Sequence, residues 1–124
     1  MKLTLDQAPA DANRIKAYEP GRIMVGLNAY TRSFIVTRDT LIAHWPPQTI
    51  DELRMEHLQA FHEIQPEILL IGTGASQTFP DPRLLAALMN RQIPVEVMDT
   101  AAACRTYNIL FSEDRSVAAA LMMI

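Results

Sequence analysis

A run of four consecutive large apolar residues constrains the fold of this chain more than any other feature of its sequence. The run occupies residues 68–71 and ends abruptly in Gly72-Thr73-Gly74. An uninterrupted apolar run is typical of a strand that is buried on both faces, as in a parallel sheet. The two glycines predict a tight turn directly after it. We therefore expect a central buried strand whose end opens into a turn.

A second strand is predicted to end close to the first. Residues 93–98 form a strand-like segment that runs through Asp99 and Thr100 directly into a helix-like segment. The ends of strands in an α/β sheet commonly converge on one crevice, which is where such sheets bind ligands. The sequence thus predicts a candidate site, but it specifies no reaction.

The first half of the chain has the pattern of an antiparallel β-meander. Pro20-Gly21 separates two short strand-like segments as a β-turn would, because proline presets φ at the second turn position and glycine accepts the positive φ of the third. A β-branched and aromatic run predicts the third strand, and Pro46-Pro47 would stop a short fourth one. The predicted strands cover residues 15–18, 23–25, 30–37 and 41–45.

The second half has a β-α-β-α-β pattern that begins with the central strand. A helix over residues 49–64 is predicted to precede this strand, and Pro66 forces a break between them. Two further helices are predicted, one beginning at Pro82 and the other over residues 101–111. Their predicted N-caps are Thr49 for the first helix, Asp81 for the second, and Asp99 or Thr100 for the third.

The two ends of the chain are less patterned. Residues 1–12 show no periodicity and are predicted to be a loosely held arm. Residues 117–124 fit either a final strand or a helix, although three consecutive alanines favour a helix by propensity. We find no internal repeat or linker, so residues 1–124 are expected to form a single domain.

Composition excludes several classes of partner and location. The chain has 124 residues, 49% of them hydrophobic and 20% charged, which indicates a globular domain with a proper core. The 11 basic residues are scattered and the net charge is −3, so nucleic acid is not expected as a partner. The lone Cys104 rules out an intrachain disulfide. No secretory signal and no membrane span are recognised, so a cytoplasmic location is expected.

Gly72-Thr73-Gly74 admits two interpretations. A glycine-rich turn lets backbone N–H groups approach a phosphate. The dinucleotide-binding fingerprint would need a third glycine where Gln77 stands, and residues 80–82 delay the helix that should follow at once. The classical nucleotide-binding interpretation therefore fails, and the glycines are favoured as the means by which the chain leaves a crowded strand end.

The start of the third helix is the second candidate site. Asp99 and Thr100 lie at a strand end, while Arg105 and Asn108 are three residues apart on one helical face. Polar groups and helix N–H donors could therefore surround a small anion. In the alternative interpretation, Asp99 or Thr100 caps the helix and Arg105 holds the neighbouring loop through Asp99 or backbone carbonyls. Both interpretations stay open at the level of sequence.

No catalytic or metal-binding set is evident. Cys104 falls in the first turns of a helix, where a thiol pKa can be lowered, but no histidine is adjacent in sequence to act as its base. We expect it to be a small buried hydrophobe. His57 and His62 are five residues apart, which is the wrong spacing for paired metal ligands on a helix. No cofactor is therefore predicted.

Four segments together carry a family resemblance: residues 67–74, 95–100, 103–110 and 113–121. The Gly-Thr-Gly strand end followed by the Arg-Thr-Tyr-Asn helix resembles a small uncharacterised domain family. That family contains mitochondrial NADH dehydrogenase (complex I) assembly factor three, the vertebrate adipogenesis-associated domain protein, and stand-alone bacterial and archaeal members. The resemblance runs from about residue 14 to the end of the chain. It implies a compact α/β domain with helices on one side of the sheet, a strand at residues 117–123, and no established catalytic activity.

Three hypotheses for function follow. The leading one is a non-enzymatic binding protein that helps to assemble a respiratory or membrane-associated complex, with respiratory-complex subunits or assembly machinery as partners. The second is a small-molecule or anion binder, or a cryptic enzyme, with N–H donors at Thr73, Gly74 and Thr100. The third is a structural module that is a monomer or a weak homo-oligomer. The candidate residues are Gly72, Thr73, Gly74, Asp99, Thr100, Cys104, Arg105 and Asn108.

Overall fold

The computed structural model describes residues 12–124. The arm predicted over residues 1–12 lies outside the described residues, except for Ala12 itself. A three-stranded antiparallel sheet comes first, formed by β1 (Ile15–Glu19), β2 (Arg22–Val25) and β3 (Asn28–Tyr30) in that order. Gly21 joins β1 to β2 at a φ of +79°, as predicted for the third turn position.

The predicted third strand is two strands in different sheets. β3 ends at Tyr30, and β4 (Phe34–Thr37) pairs instead with β5 (Leu41–Ile42). The break has a physical cause in the segment between them. The Ser33 N–H donates to Gln48 Oε1, and the Ser33 carbonyl accepts from the Trp45 N–H, so this segment bonds to the loop that follows β5.

The predicted helix over residues 49–64 is interrupted. It consists of 3₁₀ helices at Ile50–Glu52 and Met55–Leu58, followed by α1 (Gln59–Ile64). The backbone is extended at Leu53 and Arg54, and the Arg54 N–H donates to His57 Nδ1 to begin the second 3₁₀ helix. The predicted N-cap Thr49 makes no side-chain capping bond. The apolar stripe nevertheless survives, with Leu53 and Phe61 buried.

The β-α-β-α-β half matches its prediction. It comprises β6 (Ile68–Thr73), α2 (Pro82–Asn90), β7 (Val95–Met98), α3 (Thr100–Ser112) and β8 (Val117–Met122). The five-stranded sheet has the order β5-β4-β8-β6-β7, with β6 parallel to both β7 and β8. Asp81 and Asp99 accept hydrogen bonds from the N–H groups of Arg83 and Ala102, so both helices have the expected caps.

The C-terminal segment is a strand despite its alanines. All six residues of β8 are buried between antiparallel β4 and parallel β6. Helices and a second sheet cover the two faces of this strand, and its three alanines leave room for the larger side chains of those layers. Tertiary packing therefore overrides the helix propensity of residues 118–120.

Helices cover both faces of the five-stranded sheet, not one face as the resemblance implies. One apolar cluster joins α1 and α2 to the sheet, and the other joins α3 and the three-stranded sheet to its opposite face. The strand order explains this arrangement. The chain passes from β6 to β7 in one direction and then returns over β6 to β8, so two right-handed crossovers place α2 and α3 on opposite faces.

Truncation of β6 should test its central role. We expect Leu70→Ala to lower the free energy of unfolding by about 2–5 kcal/mol, because Leu70 is fully buried and its loss leaves a cavity. Leu27→Ala is the matched control, since Leu27 is 97% exposed and the change should stay within about 0.5 kcal/mol. Urea unfolding followed by circular dichroism measures both, and equal losses would contradict the assignment.

Candidate functional site

Thr100, the first residue of α3, packs against the end of the central strand β6. Its side chain is fully buried. Thr100 Oγ1 accepts from the Gly74 N–H at 2.8 Å and donates to the Met122 carbonyl at 2.6 Å. The Thr100 N–H donates to the Gly74 carbonyl at 2.9 Å. The first residue of α3 therefore ties the turn after β6 to the last residue of β8.

Gly72 lets α3 approach the sheet this closely. A Cβ at Gly72 would lie 2.9 Å from Thr100 Oγ1, a distance that Cβ atoms essentially never show, and 3.0 Å from Thr100 Cα, which is tighter than nearly all observed Cβ contacts. Gly74 has a φ of +97°, which L side chains rarely adopt. These two positions support the interpretation in which the glycines let the chain leave a crowded strand end.

Thr73 organises the loop that follows. Its hydroxyl donates to the Ser76 carbonyl at 2.7 Å and accepts from the Thr78 N–H at 3.1 Å. The loop over residues 74–79 is therefore folded back on the end of β6. The donors at Gly74 and Thr100 that were candidates for an anion are engaged in bonds within the protein.

Asp99 and Arg105 lie at the start of α3 and do not form a hydrogen-bonded pair. Asp99 caps the helix by accepting from the Ala102 N–H at 2.8 Å. Arg105 is exposed and donates to the Tyr18 hydroxyl on β1 at 3.2 Å. That hydrogen bond raises the pKa of the Arg105 guanidinium above its usual value. Arg105 thus remains a surface cation that links α3 to the three-stranded sheet.

Asn108 has an architectural arrangement. Its Oδ1 accepts from the Ile15 N–H at 3.1 Å, and its Nδ2 donates to the Ile15 carbonyl at 2.8 Å. This two-bond pairing attaches the start of β1 to α3. The Asn108 amide therefore fixes the backbone of Ile15 and does not reach the loop that follows β6.

Cys104 faces the apolar cluster between α3 and the sheet. It is fully buried, and burial raises the pKa of its thiol to about 12. Burial also raises the pKa of Tyr107, whose hydroxyl donates to the Asn13 carbonyl at 2.9 Å. The thiol is protonated at neutral pH and lacks the thiolate character that nucleophilic attack requires.

A cavity lies at the opposite edge of the sheet, among charged side chains of which several have partners. It has a volume of about 550 Å³ and is lined by parts of β5, α1 and the turn before β8. Arg38 donates to the Phe111 carbonyl and approaches Asp114 at 3.6 Å. The Ser116 N–H and the Arg115 guanidinium hold the pKa of Glu67 below its usual value. These bonds hold the turn before β8 in place, so we assign its charged side chains a structural role.

A groove beside β7 was not singled out from the sequence. This β7 groove has a volume of about 520 Å³, and its lining includes Gln77, Phe79, Leu85, Met89, Glu96 and Val97. Phe79 is 67% exposed and Met89 is 69% exposed. Met89 follows the buried Leu88 on α2, yet its own side chain is exposed. The one feature of the sequence that could have indicated this groove is Phe79, an aromatic residue in a loop rich in proline and polar residues.

Among residues 12–124, no group of three or more histidine, cysteine or acidic side chains lies close enough together to hold a metal ion. Within the same range, no helix has the length and apolar character needed to cross a membrane.

The chain is similar in sequence and in structure to proteins of one family. A family model described as a protein of unknown function (DUF498/DUF598) matches residues 15–122. NADH dehydrogenase (ubiquinone) 1 alpha subcomplex assembly factor 3 of Xenopus tropicalis is 41% identical over 83 residues, which are 65% of this chain and 45% of that relative. The chain thus matches less than half the length of that relative.

Two bacterial proteins match over most of their length. The 13 kDa major membrane protein of Francisella tularensis is 29% identical over 103 residues, covering 82% of this chain and 84% of that protein. A crystal structure of a Bordetella parapertussis protein superposes with a TM-score of 0.85 at 36% identity, covering 94% of this chain and all of the other. These matches confirm the family resemblance and the fold.

The Thr100 hydroxyl should be needed for stability. We expect Thr100→Val to lower the free energy of unfolding by at least about 2 kcal/mol, because it leaves the Gly74 N–H and the Met122 carbonyl without a partner. Thr100→Ser keeps the hydroxyl and should lose less. Urea unfolding compares the two variants, and an equal loss in both would show that the methyl group matters more than the hydrogen bonds.

Cys104 should make stability fall at alkaline pH. Its pKa is 9.0 in the ordinary state and about 12 when folded, so between these values the unfolded chain loses a proton that the folded chain keeps. The free energy of unfolding should therefore fall as pH rises through 9, with a slope that approaches about 1.4 kcal/mol per pH unit once the unfolded thiol is largely ionised. Well below pH 9 the thiol contributes no slope, because both states keep the proton.

The matched control for the alkaline slope is Cys104→Ala. This variant should lose most of the fall between pH 9 and pH 10, because Tyr107, with an ordinary pKa of 10.0, contributes a smaller fall that begins only near pH 10. Urea unfolding across this range measures the slope. A wild-type slope that Cys104→Ala retains would assign the dependence to another group.

Proposed function

Since the chain belongs to the DUF498/DUF598 family of proteins of unknown function, we propose that it is a non-enzymatic protein-binding factor that helps to assemble an NADH dehydrogenase complex. The observation that carries the proposal is the similarity to assembly factor 3 at 41% identity. The partners we propose are subunits of the complex or its assembly machinery.

The arrangement of polar groups supports binding in preference to chemistry. Thr100 and Gly74 bond to each other at the strand ends, and the Asn108 amide bonds to the backbone of Ile15. Cys104 is buried and protonated. Among the described residues, large apolar side chains are exposed at Leu27, Met55, Phe79, Met89 and Ile109. Phe79 and Met89 both line the β7 groove, and a contiguous exposed apolar surface is a common feature of protein-binding sites.

The alternative of a small anion at the Gly72-Thr73-Gly74 turn has less support. An anion would need free N–H donors, but those of Gly74 and Thr100 already have acceptors at 2.8 and 2.9 Å. Asp99 adds a carboxylate at the same helix terminus, where it accepts the Ala102 N–H. A bound anion would therefore have to displace internal bonds and would lie beside a negative charge.

The proposed role can be tested by quantitative affinity capture from the source cells. We expect the tagged full chain to enrich NADH dehydrogenase subunits over an untagged control. Arg105→Glu should weaken capture roughly fivefold or more, equivalent to about 1 kcal/mol, if the exposed face of α3 contributes to binding. Arg32→Glu is the matched control, because Arg32 is also an exposed arginine but lies between β3 and β4.

The capture experiment tests the assembly role and the position of the binding surface separately. Enrichment that both arginine variants retain would support the role and remove Arg105 from the binding surface. Absence of NADH dehydrogenase subunits from every capture, with the tagged chain folded by circular dichroism, would contradict the assembly role.

A further inference from the structure

We propose that the outer edge of β7 and the β7 groove bind an extended segment of a partner polypeptide as an added strand, with a basic side chain opposite Glu96. This inference rests on the proposed function only in taking the partner to be a protein. It names the surface and the chemistry of the occupant. Added strands of this kind gain affinity from main-chain hydrogen bonds and specificity from pockets for alternate side chains.

The backbone of β7 is open on one side. Within residues 12–124, β6 is the one strand that pairs with β7. The Leu69 N–H donates to the Pro94 carbonyl at 2.8 Å, so the backbone groups of Pro94 face β6. Because these groups alternate in direction along a strand, those of Val95 and Val97 face outward. The outer edge thus presents N–H and carbonyl groups in the spacing that a new strand requires.

Gln77 confirms the outward direction and acts as a local substitute for a strand. Its Nε2 donates to the Val97 carbonyl at 2.9 Å. A side-chain amide satisfies this carbonyl where a neighbouring strand would supply a backbone N–H. The Gln77 side chain belongs to an exposed loop residue, so an incoming strand can displace it.

The β7 groove offers space for alternate side chains. Val95 lies on the α2 face, because its strand partner Leu69 belongs to the apolar cluster on that face. Exposed Phe79 and Met89 extend the apolar surface beside it. Every second side chain of an added strand would therefore enter an apolar groove.

Glu96 gives the edge a charge preference. It is exposed and pairs with Leu70, which places it on the α3 face of the sheet. Within the described residues, Glu96 is the one charged side chain among those that line the groove. A lysine or arginine directly across the strand pair would be favourable, whereas a like charge would be unfavourable.

The same charge disfavours a second copy of this chain. An antiparallel pair of β7 strands that aligns the outward groups of Val95 and Val97 on both copies places Glu96 opposite Glu96 of the other copy. Other registers avoid this repulsion but pair fewer outward backbone groups of the short strand. A foreign segment with a basic residue is therefore the favoured occupant.

The test uses a short capped peptide with valines alternating with lysines. Titration into the ¹⁵N-labelled full chain should shift the amide resonances of Val95 and Val97. The same peptide with glutamate in place of lysine should bind about fivefold more weakly, and Glu96→Lys should reverse this order. Gln77→Ala should tighten binding, because the Val97 carbonyl then has no competing donor.

Two control measurements make the proposal falsifiable. A peptide N-methylated at the amides that face β7 keeps its side chains but should lose binding. Equal binding of that peptide, shifts confined to other parts of the chain, or an unchanged charge preference in Glu96→Lys would overturn the inference. So would sedimentation as a dimer with the β7 amides protected from solvent exchange before peptide is added, since a second copy would then occupy the edge.

These outcomes differ from those of the capture experiment. Successful capture of NADH dehydrogenase subunits without peptide binding would support the assembly role and reject the β7 edge. Peptide binding without capture of those subunits would support the edge and contradict the proposed complex.

Discussion

The close approach of α3 to the end of β6 is the contact on which the rest of the structure depends. Gly72 leaves the space that Thr100 occupies, and the buried Thr100 hydroxyl then bridges the Gly74 N–H and the Met122 carbonyl. With any larger residue at position 72, α3 would have to move outward, and backbone groups at two strand ends would lose their partners. The same contact sets the depth at which Cys104 and Tyr107 enter the apolar cluster. The close contact between Gly72 and Thr100 therefore accounts both for the packing of α3 on the sheet and for the closure of the strand-end crevice.

Closure of that crevice also depends on β8 lying inside the sheet. Because β8 is inserted between β4 and β6, its last residues lie beside the end of β6, and the Met122 carbonyl comes within reach of Thr100. Ala118 and Ala120 lie in one apolar cluster and Ala119 in the other. Small side chains on both faces leave room for large ones from the covering layers, among them Trp45 and Tyr107. The strand order thus explains both the alanines and the connection to α3.

Much of the fold could be predicted from the sequence, because its signals are local. The apolar run of β6, the caps Asp81 and Asp99, and the turn at Gly21 each depend on a few adjacent residues. The split of residues 30–37 depends on Gln48 and Trp45 bonding to the backbone of Ser33, which is far from them along the chain. The interruption at Leu53 depends on the His57 side chain accepting from the Arg54 N–H, a local bond that hydrophobic periodicity does not encode. The candidate site had the same limit. Gly72, Gly74 and Thr100 meet at one strand end, whereas the Asn108 amide bonds to Ile15 of β1, and whether the N–H donors were free depended on tertiary bonds.

The protection of the β7 edge explains how a surface can avoid its own copies and still accept a partner. Open edges are commonly guarded by charge or by a covering group, and β7 has both in Glu96 and Gln77. The two devices differ in what they exclude. The Gln77 amide competes weakly with any strand, because one exposed side-chain bond contributes only about 0.5–1.5 kcal/mol. The Glu96 charge discriminates by sign, repelling an identical strand and attracting a basic one. Together they make the edge selective, which a fully covered edge could not be.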